Sequence, residues 1–257
     1  MKRIFSVFLI IILSKTIYSQ PKYTKSLKVL TDVMVFDVTS PVASARYYAY
    51  TTLAAYEALS LTDTLNYPSF LKKLNLPFHG FKANDNIEKN LLINLTLLYS
   101  GVLLLPSGQR INPYIDSLKS EYLIYEDLKI WESCSFLAMK LSEHIKSIAL
   151  QDGFRQLNNL KKYTPQKGEG FWQPTGPVFM PPVEPNWSTV KTFFIKDLSQ
   201  YAPKPPTPFS LNQESEFYKQ MKEVYLVVNR KNKKEQLIAE FWDCNPYAIS
   251  QIGHVEF

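Results

Sequence analysis

Apolar residues recur along this chain at steps of three and four, the period of a helix that buries one face. The clearest case is Ile130, Cys134, Leu137, Leu141, Ile145 and Ile148. Asp152-Gly153 follows as a stop signal, with Gly available for a left-handed cap. A second stripe, Ala43, Tyr47, Tyr50, Ala54 and Ala58, predicts a helix over residues 41–61. Ser40 is its cap, and Pro41 fits the first helical position, where no donor is lost. The small residues on that stripe let a neighbouring helix approach closely. Residues 87–105 are apolar on nearly every side, with Leu91, Leu92, Leu95, Leu97 and Leu98, which predicts a central helix. Asn90, Asn94, Thr96 and Ser100 argue for a protein core rather than a bilayer. Shorter patterns predict helices over 109–121, 214–228 and 234–243, the last ended by Asn245-Pro246. Residues 66–86, punctuated by Pro68, Pro77 and Gly80, read as a loop. The fold class expected is therefore all-α, a helical bundle with one long irregular excursion.

That excursion runs from Tyr163 to Pro208. It holds Gly170-Phe171-Trp172-Gln173-Pro174-Thr175, Pro181-Pro182, Pro185-Asn186-Trp187, Phe193-Phe194 and Pro205-Pro206. Prolines keep it extended, and large rings between them supply anchors that a Gly/Ser linker lacks. The expectation is a strap that wraps the bundle, with Trp172 and Trp187 pinning it. The rival reading is a ligand platform, with exposed rings of Trp172, Trp187 and Tyr201 flanking a cleft.

The N-terminus changes the compartment. Lys2-Arg3, the apolar run Ile4 to Leu13 and Ser19 read as a secretory signal over residues 1–19, too short to span a bilayer. A retained anchor is the alternative. Export to the periplasm or beyond is expected. Loss of Lys2, Arg3 and Lys15 with the leader takes the balance from 29 basic and 23 acidic residues to 26 and 23, a net +3. That is too mild for a nucleic-acid footprint. The basic run Arg230, Lys231, Lys233 and Lys234 reads as a solvated turn. Cys134 and Cys244 could pair in an oxidising compartment, but both also read as small buried hydrophobes. His79, His144 and His254 are too scattered for a zinc site, and no metal or cofactor ligand set is expected within the chain.

From Asp37 onward the chain resembles one family, the exported bacterial relatives of vanadium-dependent haloperoxidases in the type 2 phosphatidic acid phosphatase superfamily. The likeness lies in a series: Ser40-Pro41, Arg46-Tyr47-Tyr48-Ala49-Tyr50, Ala54-Ala55-Tyr56-Glu57-Ala58, Asp152-Gly153, Gly170 to Thr175, Pro185-Asn186-Trp187, Pro205-Pro206 and Ile238 to Trp242. The resemblance implies a division into residues 20–153 as an N-terminal bundle, 154–210 as the strap, and 211–257 as helices leading toward a catalytic bundle. It also implies three catalytic blocks: Lys with Arg-Pro seven residues on, Pro-Ser-Gly-His, and Ser-Arg followed by His. Fixed cations and forked donors would hold phosphate or vanadate, one His would act as acid or base, and the other would bond to phosphorus or vanadium.

None of the blocks stands in this sequence. No Pro follows Arg3, Arg46, Arg110, Arg155 or Arg230, and no Ser-Arg pair occurs. Pro106-Ser107-Gly108-Gln109 nearly spells the second, but Gln109 cannot shuttle a proton. It reads as a turn, with Ser107 near a helix start. His144 reads as a partly exposed helix residue, and Gly253-His254 as part of a loop approaching the catalytic half. No catalytic, cofactor-binding or metal residue is assigned. The expectation is the N-terminal, non-catalytic half of a haloperoxidase-like or acid phosphatase-like protein. Vanadate or phosphate would belong to the complete protein, and apolar surface here would meet either the catalytic half or a second copy. An exported binding or scaffolding module is the alternative.

Overall fold

The computed structural model describes residues 22–242 except 79, 125, 178, 196 and 231. The secretory signal, Lys231, Cys244, His79 and His254 therefore lie outside the described residues. The described chain is helical, with no strand, and divides into two units.

The first unit holds the residues up to Leu157 together with Thr189–Phe193. Its helices are α1 (Lys22–Phe36), α2 (Pro41–Thr62), the single turn α3 (Phe70–Lys73), α4 (Lys89–Leu104), α5 (Asn112–Tyr122) and α6 (Leu128–Ala149). A 3-10 turn, Gly108–Ile111, leads into α5. α4 is the central helix, touching α1, α2, α5 and α6. This explains its all-round apolar sequence: Leu92, Leu95, Leu97 and Leu98 have no exposed surface. Each such leucine contributes about 1.5–3 kcal/mol through burial. The polar residues of α4 are bonded within the core rather than wet. The Ser26 hydroxyl donates to Asn94 Oδ1 (2.9 Å), Ser100 donates to Ser142 Oγ (3.0 Å), and Ser142 donates to the Thr96 carbonyl (3.1 Å). These bonds tie α1 and α6 to one register on α4.

The predicted start of α2 is as read: Pro41 opens it, and Ser40 Oγ accepts the Ala43 N–H. Three readings need correction. α1 was not anticipated. Residues 66–86 are not all loop, because Ser69 caps α3. Gly153 is not the cap of α6, which ends at Ala149; Gly153 turns the chain three residues past the capping Leu150, at φ +93°.

The second unit holds Asn158–Ser188 and the residues from Phe194 on. Short 3-10 turns punctuate it, and two helices close it, α7 (Glu216–Asn229) and α8 (Lys233–Phe241). Phe209 meets Phe217 of α7 edge-on at 5.1 Å, and Gly170, at φ +79°, sits where a Cβ would fall 2.8 Å from the Phe209 ring. Arg230 and Glu235 bridge α7 to α8 at 2.9 Å. Neither helix buries a residue.

Candidate functional site

The near-motif at Pro106 is a structural turn. Gly108 N–H donates to the Leu105 carbonyl, and Ser107 N–H donates to Asp37 Oδ2 at 3.1 Å. Ser107 precedes the 3-10 turn, as read from the sequence, and makes no side-chain capping bond. Gly108 is required sterically, since a Cβ there would lie 2.4 Å from the Val102 carbonyl oxygen. Gln109 is exposed and bonded to Asn112. Arg110 stacks over Phe36 at 3.7 Å. Nothing in this turn cradles an oxyanion. His144 is half-buried, with Nε2 2.6 Å from the Pro77 carbonyl and its ring 5.3 Å from Phe81. It latches the loop after α3 onto α6.

The most elaborate polar arrangement centres on Arg46, whose role the sequence reading did not anticipate. Its guanidinium is buried between α2 and the end of α6. Nε donates to Asp152 Oδ2 at 2.6 Å, and an Nη donates to the Ala149 carbonyl at 2.9 Å. The cation is enclosed by the rings of Phe154 (4.3 Å) and Tyr50 (5.0 Å). Asp152 completes the knot: Oδ1 accepts the Phe154 N–H, and its carbonyl accepts the Lys191 N–H. Phe193 lies against Tyr50 at 4.9 Å, so Thr189–Phe193 is held on the bundle at this point. Burial, then the adjacent Asp152 carboxylate, pushes the Tyr50 phenol well above its ordinary value and keeps it protonated.

This geometry bears on vanadate or phosphate. An oxyanion needs uncommitted cationic donors converging on one point. Arg46 is buried, and two of its N–H groups serve Asp152 and the Ala149 carbonyl. Arg110 lies on Phe36, and Arg230 pairs with Glu235. These three arginines are thus engaged by the fold. The described residues do not bring together three or more His, Cys, Asp or Glu residues that could hold a metal ion.

Clefts open in both units. In the second unit a groove of about 730 Å³ is lined by Tyr163, Trp172, Met180 and several prolines. Trp172 and Tyr201 keep 49% and 66% of their surface exposed. Trp187 is half-buried, and neither it nor Tyr201 lines this groove. In the first unit a cleft of about 530 Å³ lies between the loop 80–87 and the middle of α6.

No family model matches the chain, and no curated protein matches it. Among solved structures it is similar to the first bacterial vanadium-dependent iodoperoxidase, at 30% identity and a TM-score of 0.81. The match covers 89% of this chain and 57% of that one. The chain thus spans little more than half the length of that relative.

Proposed function

The chain belongs to the vanadium haloperoxidase superfamily, and we propose that it is a non-catalytic helical portion of an exported haloperoxidase-like or acid phosphatase-like protein. In this reading the bundle buttresses the catalytic helices, which supply the oxyanion site. One observation carries it: the buried arginine Arg46 donates to Asp152 and the Ala149 carbonyl, an ion pair that holds the bundle together rather than an open oxyanion site. The test is direct. Purified chain, supplied with vanadate, hydrogen peroxide and iodide or bromide, is expected to halogenate no phenolic dye above the buffer rate. It is also expected to hydrolyse no p-nitrophenyl phosphate. Vanadate-dependent turnover of either kind that follows the chain through purification overturns the reading. The DNA downstream of codon 257 offers a second check. Lys-x6-Arg-Pro, Pro-Ser-Gly-His and Ser-Arg…His in order would place the chemistry in the joined product. Export rests on the leader-like N-terminus and is tested by fractionating the producing cell.

The half-exposed Trp172 in its proline-lined groove favours a second reading, an exported binding module. A proline-rich peptide quenching fluorescence in the chain but not in Trp172→Phe would support it. No change with either protein would remove it.

A further inference from the structure

The cleft in the first unit has a chemical character that the proposed function does not use. One wall is the loop after α3, with Phe81, Lys82 and Asn84. The other is α6, with Ser133, Phe136 and Lys140. Phe136 keeps 64% of its surface exposed in mid-helix, where a solvent-facing position usually carries a polar residue. Lys140, one turn further on, holds Nζ 4.4 Å from the centre of the Phe136 ring. The cation thus lies over an aromatic face, one of the arrangements by which rings attract ammonium groups. Lys82 approaches from the loop. Neither lysine forms an ion pair with a described acid, and none of Asp85, Glu132 and Glu143, the acids on the same two elements, lines the cleft.

We propose that this cleft binds a small organic anion with a flat apolar body, of which an aryl carboxylate is the simplest case. The two ammonium groups supply the charge complement. Phe81 and Phe136 supply faces for a ring, and the volume of about 530 Å³ suits a ligand of two fused rings. Inorganic phosphate or sulfate would bring no surface to cover the rings of Phe81 and Phe136. The His144 bond to Pro77 and the Phe78–Phe81 stack (5.2 Å) fix the loop wall without a ligand, so little ordering has to accompany binding.

The probe is 2-naphthoate, titrated calorimetrically into the full chain, with neutral 2-naphthamide as its isostere. Naphthoate is expected to bind at about 1 mM or tighter, and naphthamide about tenfold more weakly, two exposed charge contacts each contributing modestly. The double variant K82Q/K140Q should bring naphthoate down to the naphthamide value, while F136A should weaken both ligands. All three side chains are exposed on the cleft rim, so circular dichroism and the melting temperature should stay at those of the parent. Raising the salt to about 0.5 M should weaken naphthoate alone. Equal affinity for the two probes, or naphthoate affinity unchanged in K82Q/K140Q, overturns the proposal. So does the absence of binding at several millimolar.

Discussion

At the residue scale the decisive object is the Arg46–Asp152 pair. Its side chains are 7% and 4% exposed, and the contact joins residues 106 apart in sequence. Burying two charges costs more than a surface pair returns, so the pair is poor evidence of net stabilisation by itself. Removing one partner is another matter, because it strands the other charge in a dry site. Arg46→Met is expected to cost about 3–5 kcal/mol, read as a shift of the urea midpoint at unchanged slope. Asp152→Asn should cost nearly as much. The Arg46→Met/Asp152→Leu double variant should be less destabilised than the two single losses together, since no charge is left unpaired. Additive losses would show that the ring contacts of Arg46, not its ion pair, carry the effect.

Cys134 gives a pH prediction at the same scale. Its thiol donates toward the Glu88 carbonyl, and Sγ accepts the Glu88 N–H at 3.3 Å. Burial pushes the thiol from 9.0 up to about 11. A raised value means that the folded state holds the proton more tightly than the unfolded chain. Stability from this group is therefore complete below pH 9 and is lost as pH rises toward 11. In a Cys244→Ser background, Cys134 should react with a disulfide reagent at pH 8 only as fast as the chain opens. Prompt labelling of the native protein would contradict the burial.

At the scale of elements, α3 shows what pattern reading misses. A four-residue helix has too little sequence for a period, and its stability comes from outside. Glu57, buried in α2, accepts the Ser69 hydroxyl at 2.7 Å and the N–H groups of Phe70 and Leu71 at 2.7 and 2.8 Å. The carboxylate thus meets the donors that a helix start leaves over. Glu57→Gln should cost about 1–3 kcal/mol, because one acceptor oxygen becomes a donor facing donors. Amide exchange at residues 69–76 should quicken more than at α4. Equal acceleration throughout would mean that α3 is not separately held. The longer elements were legible because their apolar period is unbroken: α2 and α4 start within two residues of the predicted 41 and 87, and the stripe Ile130 to Ile148 lies within α6. α1 was not, although Leu30, Val33 and Met34 are buried on it. Its face is interrupted by Ser26, whose burial makes sense only with Asn94 present, 68 residues away. The same reason hid Arg46. A charged residue within an apolar helix hints at a partner, but only the fold names Asp152. The first-unit cleft was likewise invisible, since Lys82 and Lys140 meet through packing rather than spacing.

At the scale of the whole molecule, the second unit raises the largest physical question. Along α7, Met221, Val224, Tyr225 and Val228 recur at steps of three, one and three, the face of an amphipathic helix, yet each is 53–72% exposed. Leu237, Ile238 and Phe241 of α8, with the capping Trp242, are likewise each at least half exposed. Such stripes usually mark surface that another helix covers. An isolated chain should find that cover in a second copy. Sedimentation is expected to show reversible association at micromolar concentration, with a melting temperature that rises as the protein is concentrated. Val224→Glu/Val228→Glu, which places two charges on the stripe while leaving the first unit untouched, should give a monomer with a concentration-independent transition. If the parent chain is already monomeric at high concentration, the stripe does not drive self-association. If the double variant associates as before, the contact lies elsewhere, and α7 loses its claim as the docking face for catalytic helices.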